Sequence, residues 1–247
     1  MRRTNQIVYI IIITFCCLLS EEKFIKGQYS AGLFQPLKYN MSNNVAISSH
    51  PISSLLIPNI KLHLIHNDWN KCKLMSNHSI VIPSPLLKKI TRDGIGGFIS
   101  SEFKIPFMIS LKNEISFKRS LNNKMNITAS TGMTLAYTSQ GLDERSSIDL
   151  PLIYPRLGVY YNGFGTNFGL DLDINISPKI NILTDYDILF IPGAKHNFTF
   201  EHKGFLSLDT SKRTDVFIGY KLTYGDYPFG SMWYLIPIPL IDIVWKF

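Results

Sequence analysis

From residue 109 onward apolar and polar side chains alternate with period two, the mark of strands with two unlike faces. In 166–176, Phe168, Leu170, Leu172, Ile174 and Ile176 alternate with Asn167, Gly169, Asp171, Asp173 and Asn175. In 124–137, Met125, Ile127, Ala129, Met133, Leu135 and Tyr137 share one parity. In 213–224, Val216, Ile218, Tyr220, Leu222 and Tyr224 oppose Arg213, Asp215, Gly219 and Lys221, with Phe217 the exception. Segments 109–118, 180–190, 196–208 and 231–247 keep the rhythm with more exceptions, the last of them around Pro237 and Pro239. Segment 148–163 changes phase near Pro155, which predicts a strand with a bulge or bend there. Less regular strands are expected at 44–50, 58–66 and 71–82.

Turn-forming residues separate these segments: Asn162-Gly163, Ser177-Pro178, Pro192-Gly193, Asp209 to Lys212 and Gly225 to Gly230. No segment has the period of a long amphipathic helix, and 85–92 offers one short helical turn. Connections after residue 109 read as short. The stretch 83–108 is the longest irregular one, placed to plug a lumen, cap one end or add a strand. Its Gly94-Ile95-Gly96-Gly97 lacks the Lys-Ser/Thr ending of a phosphate loop.

Alternation alone fits a soluble sandwich as well as a membrane barrel. Three features favour the barrel. Several segments alternate over 11–14 residues, whereas soluble strands run to about 5–6 and membrane strands need about 9–11. Charges stand in mid-strand on one parity, among them Lys112, Glu114, Asp171, Asp173, Asp185 and Asp187, as a polar lumen requires. Aromatic residues crowd the strand ends, as interfacial girdles do. The expected fold is all-β, an antiparallel up-and-down transmembrane β-barrel of ten strands, with eight or twelve allowed. Both termini then face the periplasm.

The chain closes Ile241-Asp242-Ile243-Val244-Trp245-Lys246-Phe247. This resembles the C-terminal strand signature of bacterial outer-membrane β-barrels, with Phe247, Trp245, Ile243 and Ile241 on the apolar parity. The resemblance covers the last strand only. It implies recognition by the barrel-insertion machinery and assembly among outer-membrane lipid.

At the other end, Arg2 and Arg3 precede an apolar run from Ile7 to Leu19. That pattern is a secretory signal peptide, within a leader of residues 1–27 cleaved near Ser20 or Gly27. Residues 28–247 then form one barrel domain. Charged or polar residues interrupt every later apolar stretch, so any span of the membrane must be made by strands. Two of the three cysteines, Cys16 and Cys17, lie in the leader. Cys72 alone remains, which rules out an internal disulfide and a cysteine metal site in the mature chain. The formal charge of +7 is spread without a basic run or nucleic-acid motif, so no nucleic-acid partner is expected.

Asp171, Asp173, Asp185, Asp187, Glu201, Lys203, Arg213 and Lys221 share the polar parity of neighbouring strands. They read as a lumen network of ion pairs, since charges in a narrow barrel pair to offset desolvation. No metal, cofactor or catalytic residue is expected. The six histidines form no His-x-His pair on one strand face, and Glu201 and His202, as neighbours, point to opposite faces. The four glycosylation-like tripeptides, such as Asn77-His78-Ser79, read as chance in an Asn-rich chain. Three functions follow: a barrel with an envelope-structural, passive-channel or accessory role, a barrel enzyme acting on lipid or peptide at the rim, and a secreted soluble β-sandwich that binds a ligand. Detergent dependence separates the third. A His hydrogen-bonded to a Ser and a carboxylate at the lipid interface would favour the second.

Overall fold

A computed structural model describes residues 24–32, 35–50, 54, 57–70, 72–91, 102–143, 154–211, 213–227 and 230–247. The apolar leader run and the Gly94–Gly97 stretch lie outside them. Twelve strands occur in chain order: β1 (Tyr29–Gly32), β2 (Leu37–Asn40), β3 (Val45–Ser49), β4 (Asn59–Ile65), β5 (Lys73–Val81), β6 (Met108–Asn122), β7 (Met125–Thr138), β8 (Phe164–Ser177), β9 (Ile180–Phe190), β10 (Phe198–Ser211), β11 (Thr214–Tyr227) and β12 (Gly230–Lys246). Two helices interrupt them, α1 (Ser84–Ile90) between β5 and β6 and α2 (Tyr154–Asn162) between β7 and β8. Each strand pairs antiparallel with the next, and β1 pairs with β12 to close the sheet. The strands number twelve where ten were expected, within the allowed range. β1 and β2 are four residues each, too short to show a period.

One expected strand is corrected. Tyr154–Asn162 is a helix, and the phase change near Pro155 marks its start, where proline fits the first turn without losing a hydrogen bond. Leu157, Val159 and Tyr160 are buried among its described side chains. The connection between β7 and β8 is therefore long, against the expectation of short ones throughout this part of the chain. The Pro237 and Pro239 segment does carry an irregularity, as β11 slips register against β12 between Lys221 and Thr223.

The pairing sorts side chains into two faces. Leu111, Ile115, Met133, Leu135, Phe168, Leu170, Leu206, Ile218 and Ile241 point outward and are exposed. An exposed apolar band of this extent needs an apolar surrounding. The opposite parity carries the polar groups inward. Five connections, those after β2, β4, β6, β8 and β10, lie at the end that holds both β1's start and β12's finish; the last three are tight turns. The two helices lie at the other end. There Leu87 of α1, Ile105, Met108 and Leu157, Val159 and Tyr160 of α2 form a buried cluster. Met108 and Ser110 have inward parity on β6, and Tyr160 donates its hydroxyl to Ser110 Oγ at 2.8 Å. The Met108 amide donates to Ser84 Oγ at 2.6 Å. The helices thus pack on the lumen side of this mouth. The stretch 83–108 contributes α1 to that cap, one of the three roles open to it.

Candidate functional site: the two faces of the wall

On the inner face of β8–β12, Asp171, Asp173, Asp185 and Asp187 share inward parity with Glu201, Lys203 and Lys221. The Lys203 Nζ bridges Asp185 Oδ2 at 2.5 Å and Asp187 Oδ2 at 3.2 Å. Lys221 Nζ meets Glu201 Oε1 at 2.9 Å, and the Glu201 side chain is 1% exposed. Near the short-turn end, Lys246 pairs with Asp215. Asp173 accepts a long bond of 3.5 Å from Asn126 Nδ2. Arg213 is the exception among the expected residues. It sits in the β10–β11 turn, exposed and ahead of the first β11 residue, so it stands outside the lumen wall. The cause is the register, since the β10–β11 ladder ends with Ser211 opposite Thr214.

A cavity of about 660 Å³ opens beside this wall, lined by Asp171, Asp173, Asp185, Phe205, Phe217 and Asp242 among others. The wall across from it differs in sign. On β2 to β6 the inward charged residues are Lys38, Lys61, Lys73, Lys112 and Lys118 with Glu114. On β8 to β12 they are Asp171, Asp173, Asp185, Asp187, Glu201, Asp209, Asp215 and Asp242 with Lys203, Lys221 and Lys246. The lumen therefore has a basic side and an acidic side.

A hydrogen-bonded chain runs across the basic side. Ser48 Oγ lies 2.8 Å from His63 Nε2, His63 Nδ1 lies 2.7 Å from Asn77 Oδ1, and Asn77 Nδ2 donates to Glu114 Oε1 at 3.2 Å. Asn167 Nδ2 of β8 donates to Glu114 Oε2 at 3.0 Å. It reaches over β7 at Gly132, where an added Cβ would stand 2.6 Å from Asn167 Oδ1 and 2.9 Å from the Asn113 carbonyl. The glycine keeps that crossing open.

The outer face of the same strands carries a second chain, which the sequence reading did not single out. His66 Nε2 lies 2.7 Å from Ser76 Oγ, Ser76 Oγ lies 3.0 Å from His78 Nε2, and His78 Nδ1 lies 2.8 Å from Asn113 Oδ1. Register puts Ser76 between Leu64 and Ile115, and His78 between Leu62 and Asn113. The Ser-x-His spacing on one strand was the available signal, because residues two apart share a face. What the sequence could not supply was Asn113, joined to them only by the β5–β6 register. His202 also points outward, 3.0 Å from the Tyr220 hydroxyl and stacked on Tyr186. Among the described residues no group of His, Cys, Asp or Glu forms a metal site, and no helix is long and apolar enough to cross a membrane.

A closed antiparallel sheet, apolar outside and polar within, is the construction of a transmembrane β-barrel. The solved structures to which the chain is similar include OmpT (in-vitro folded), an outer membrane protein of Vibrio cholerae, with TM-score 0.43, 6% identity, and 85% of this chain and 62% of that chain covered. The outer membrane channel DcaP of Acinetobacter baumannii follows at TM-score 0.38, 10% identity, and coverages of 93% and 68%. OpdO of Pseudomonas aeruginosa gives TM-score 0.38, 12% identity, and coverages of 89% and 56%. The chain thus spans less than two thirds of the length of the first and third of these. No protein-family model matches it, and no curated protein resembles it in sequence. Its assignment to the barrels rests on its own strand pairing.

Proposed function

We propose that the chain is a bacterial outer-membrane barrel whose lumen passes small polar solutes passively, with a preference for cations. The observation that carries this reading is the lumen's division into a basic and an acidic side beside an internal cavity. Opposed charges across a narrow passage set up a transverse field that orients and sorts small ions and dipoles. The acidic side outnumbers the basic side in strand-borne charge, which favours cations. The paired residues Lys203, Asp185, Asp187, Lys221 and Glu201 keep the wall rigid, while Asp171 remains exposed to the lumen. The cluster of α1 and α2 narrows one mouth and sets an upper limit on solute size.

The outward parity of Ile241, Ile243 and Trp245 on the closing strand, with Phe247 one residue past its end, supports their reading as the assembly signal. Insertion machinery and outer-membrane lipid are then the partners. Planar-bilayer recording of the purified protein tests the channel. Discrete conductance steps whose reversal potential in a salt gradient favours cations are expected. A bilayer that stays silent at saturating protein would overturn the reading and leave a structural role in the envelope.

A further inference from the structure

We propose that Ser76, His78 and Asn113 form a serine-hydrolase triad on the lipid-facing wall, acting on the acyl esters of membrane glycerophospholipids. The inference rests on reading this wall as lipid-exposed. A polar chain here is out of place energetically. Leu62, Leu64, Leu111 and Ile115 surround it, and polar side chains toward lipid are costly and mark function.

The hydrogen-bond directions follow from chemistry. Asn113 Oδ1 only accepts, so His78 Nδ1 carries the proton and Nε2 presents its lone pair. Nε2 then accepts the Ser76 hydroxyl proton at 3.0 Å. With that proton committed, His66 Nε2 must be the donor in its 2.7 Å contact with Ser76 Oγ. The result is a nucleophile, a base aimed at it, and a third group that fixes the base's tautomer, the arrangement by which such triads are recognised on unrelated folds.

The location selects the substrate. Ser76 lies three residues, about 10 Å, in from the first residue of β5 at the short-turn end. Trp69, exposed and 5.8 Å from the Phe117 ring, marks the membrane boundary there. Ester carbonyls of phospholipids sit just inside that boundary. Ser76 itself is buried under its neighbours, and the His66 ring, exposed beyond the end of β4, turns its Nε2–H from Ser76 Oγ to the carbonyl oxygen as the ester enters.

The reaction balances with water as the co-reactant. Ser76 Oγ attacks the ester carbonyl carbon while its proton passes to His78 Nε2. The carbonyl oxygen becomes an oxyanion, to which His66 Nε2–H donates. The carbon–oxygen bond to the glycerol breaks, and the leaving alkoxide takes the proton from His78, giving a lysophospholipid and an acyl-serine. Water then attacks the acyl carbon, giving its proton to His78, which returns it to Ser76 as the fatty acid leaves. Ser76 and His78 act on the substrate. Asn113 is a positioning residue.

The test uses the full chain exported by a Gram-negative host and purified from outer membranes into vesicles of phosphatidylethanolamine and phosphatidylglycerol. Fatty-acid release is followed, and a long-chain alkylsulfonyl fluoride serves as the serine probe, its site mapped by peptide mass. Unboiled gel migration reports the fold of every variant. The wild type is expected to release fatty acid and to carry the probe on Ser76. Ser76→Ala falls to the protein-free rate, and His78→Gln loses about 10²–10⁴-fold. Asn113→Ala falls similarly whereas Asn113→Asp, which still accepts from Nδ1, recovers most of the rate. A correctly migrating wild type with neither release nor probe at Ser76 overturns the triad, as does a probe found on Ser48. A wild type without the gel shift overturns the membrane reading and the triad with it.

Discussion

Strands β3 to β6 carry two hydrogen-bonded chains of the same composition, back to back. Ser48–His63–Asn77 faces the lumen, and Ser76–His78–Asn113 faces outward. Inside, the chain ends on Glu114, which also pairs with Lys112 and accepts from Asn167. Every polar group is part of a larger polar wall, and the chain stiffens it. Outside, the chain has one extra histidine and an apolar frame. Chemistry that is ordinary structure on one face becomes a candidate reaction centre on the other, because the cost of a polar group depends on what surrounds it.

The sharpest way to break the comparison is to exchange the two histidines' fates. His78→Gln is expected to lower lipid hydrolysis by about 10²–10⁴-fold, while His63→Gln leaves it within about threefold, as scored by fatty-acid release. Equal losses in both would mean that the rate reports the sheet's integrity. Next in size is Glu114→Ala. It strands Lys112 and two asparagine amides on a wall where the Glu114 side chain is 14% exposed. A loss of about 3 kcal/mol is expected, read as a lower urea midpoint for refolding in vesicles. Gly132→Val should cost about 1–3 kcal/mol by overpacking against Asn167 Oδ1 and the Asn113 carbonyl. It serves as a control that disturbs both chains, so hydrolysis and stability fall together. The smallest effect belongs to the outer chain made wholly apolar, Ser76→Ala with His78→Leu and Asn113→Leu. Its stability should stay within about 1 kcal/mol of the wild type or rise, because partners removed together leave nothing unpaired. A large destabilisation would show the outer chain to be a clamp between strands.

The long strands were legible because a strand fixed on both sides must keep its parity over its whole length. β9 falls on 180–190 as expected, and β7, β8 and β11 match to within three residues at each end. The inward acids and lysines followed from that parity alone. α2 was misread because Leu157, Val159 and Tyr161 keep a strand's alternation over five residues, and Val and Tyr favour strands; the buried pair Leu157 and Tyr160 shows the helical spacing. Arg213 was misplaced by extending parity through a turn, where parity has no meaning. The outer triad needed the opposition of His78 and Asn113 across 35 residues that include α1, and no local pattern encodes that distance.

The barrel's seam has a consequence in time. β1 meets β12 through Ser30, Ala31 and Gly32, opposite Lys246, Trp245 and Val244, and Tyr29 and Phe247 exchange backbone hydrogen bonds beside them at 3.0 and 2.8 Å. Ser30 and Lys246 are 246 − 30 = 216 residues apart in sequence, so this contact carries a high loop-closure cost until the intervening hairpins have zipped. Closure is the last event of assembly, and this short ladder completes it. Until then β11 or β12 offers an open edge able to template wrong pairing. A chain stalled before its final strand is an adhesive sheet, so the wait for β12 is the stage of its life at which the protein most needs a chaperone.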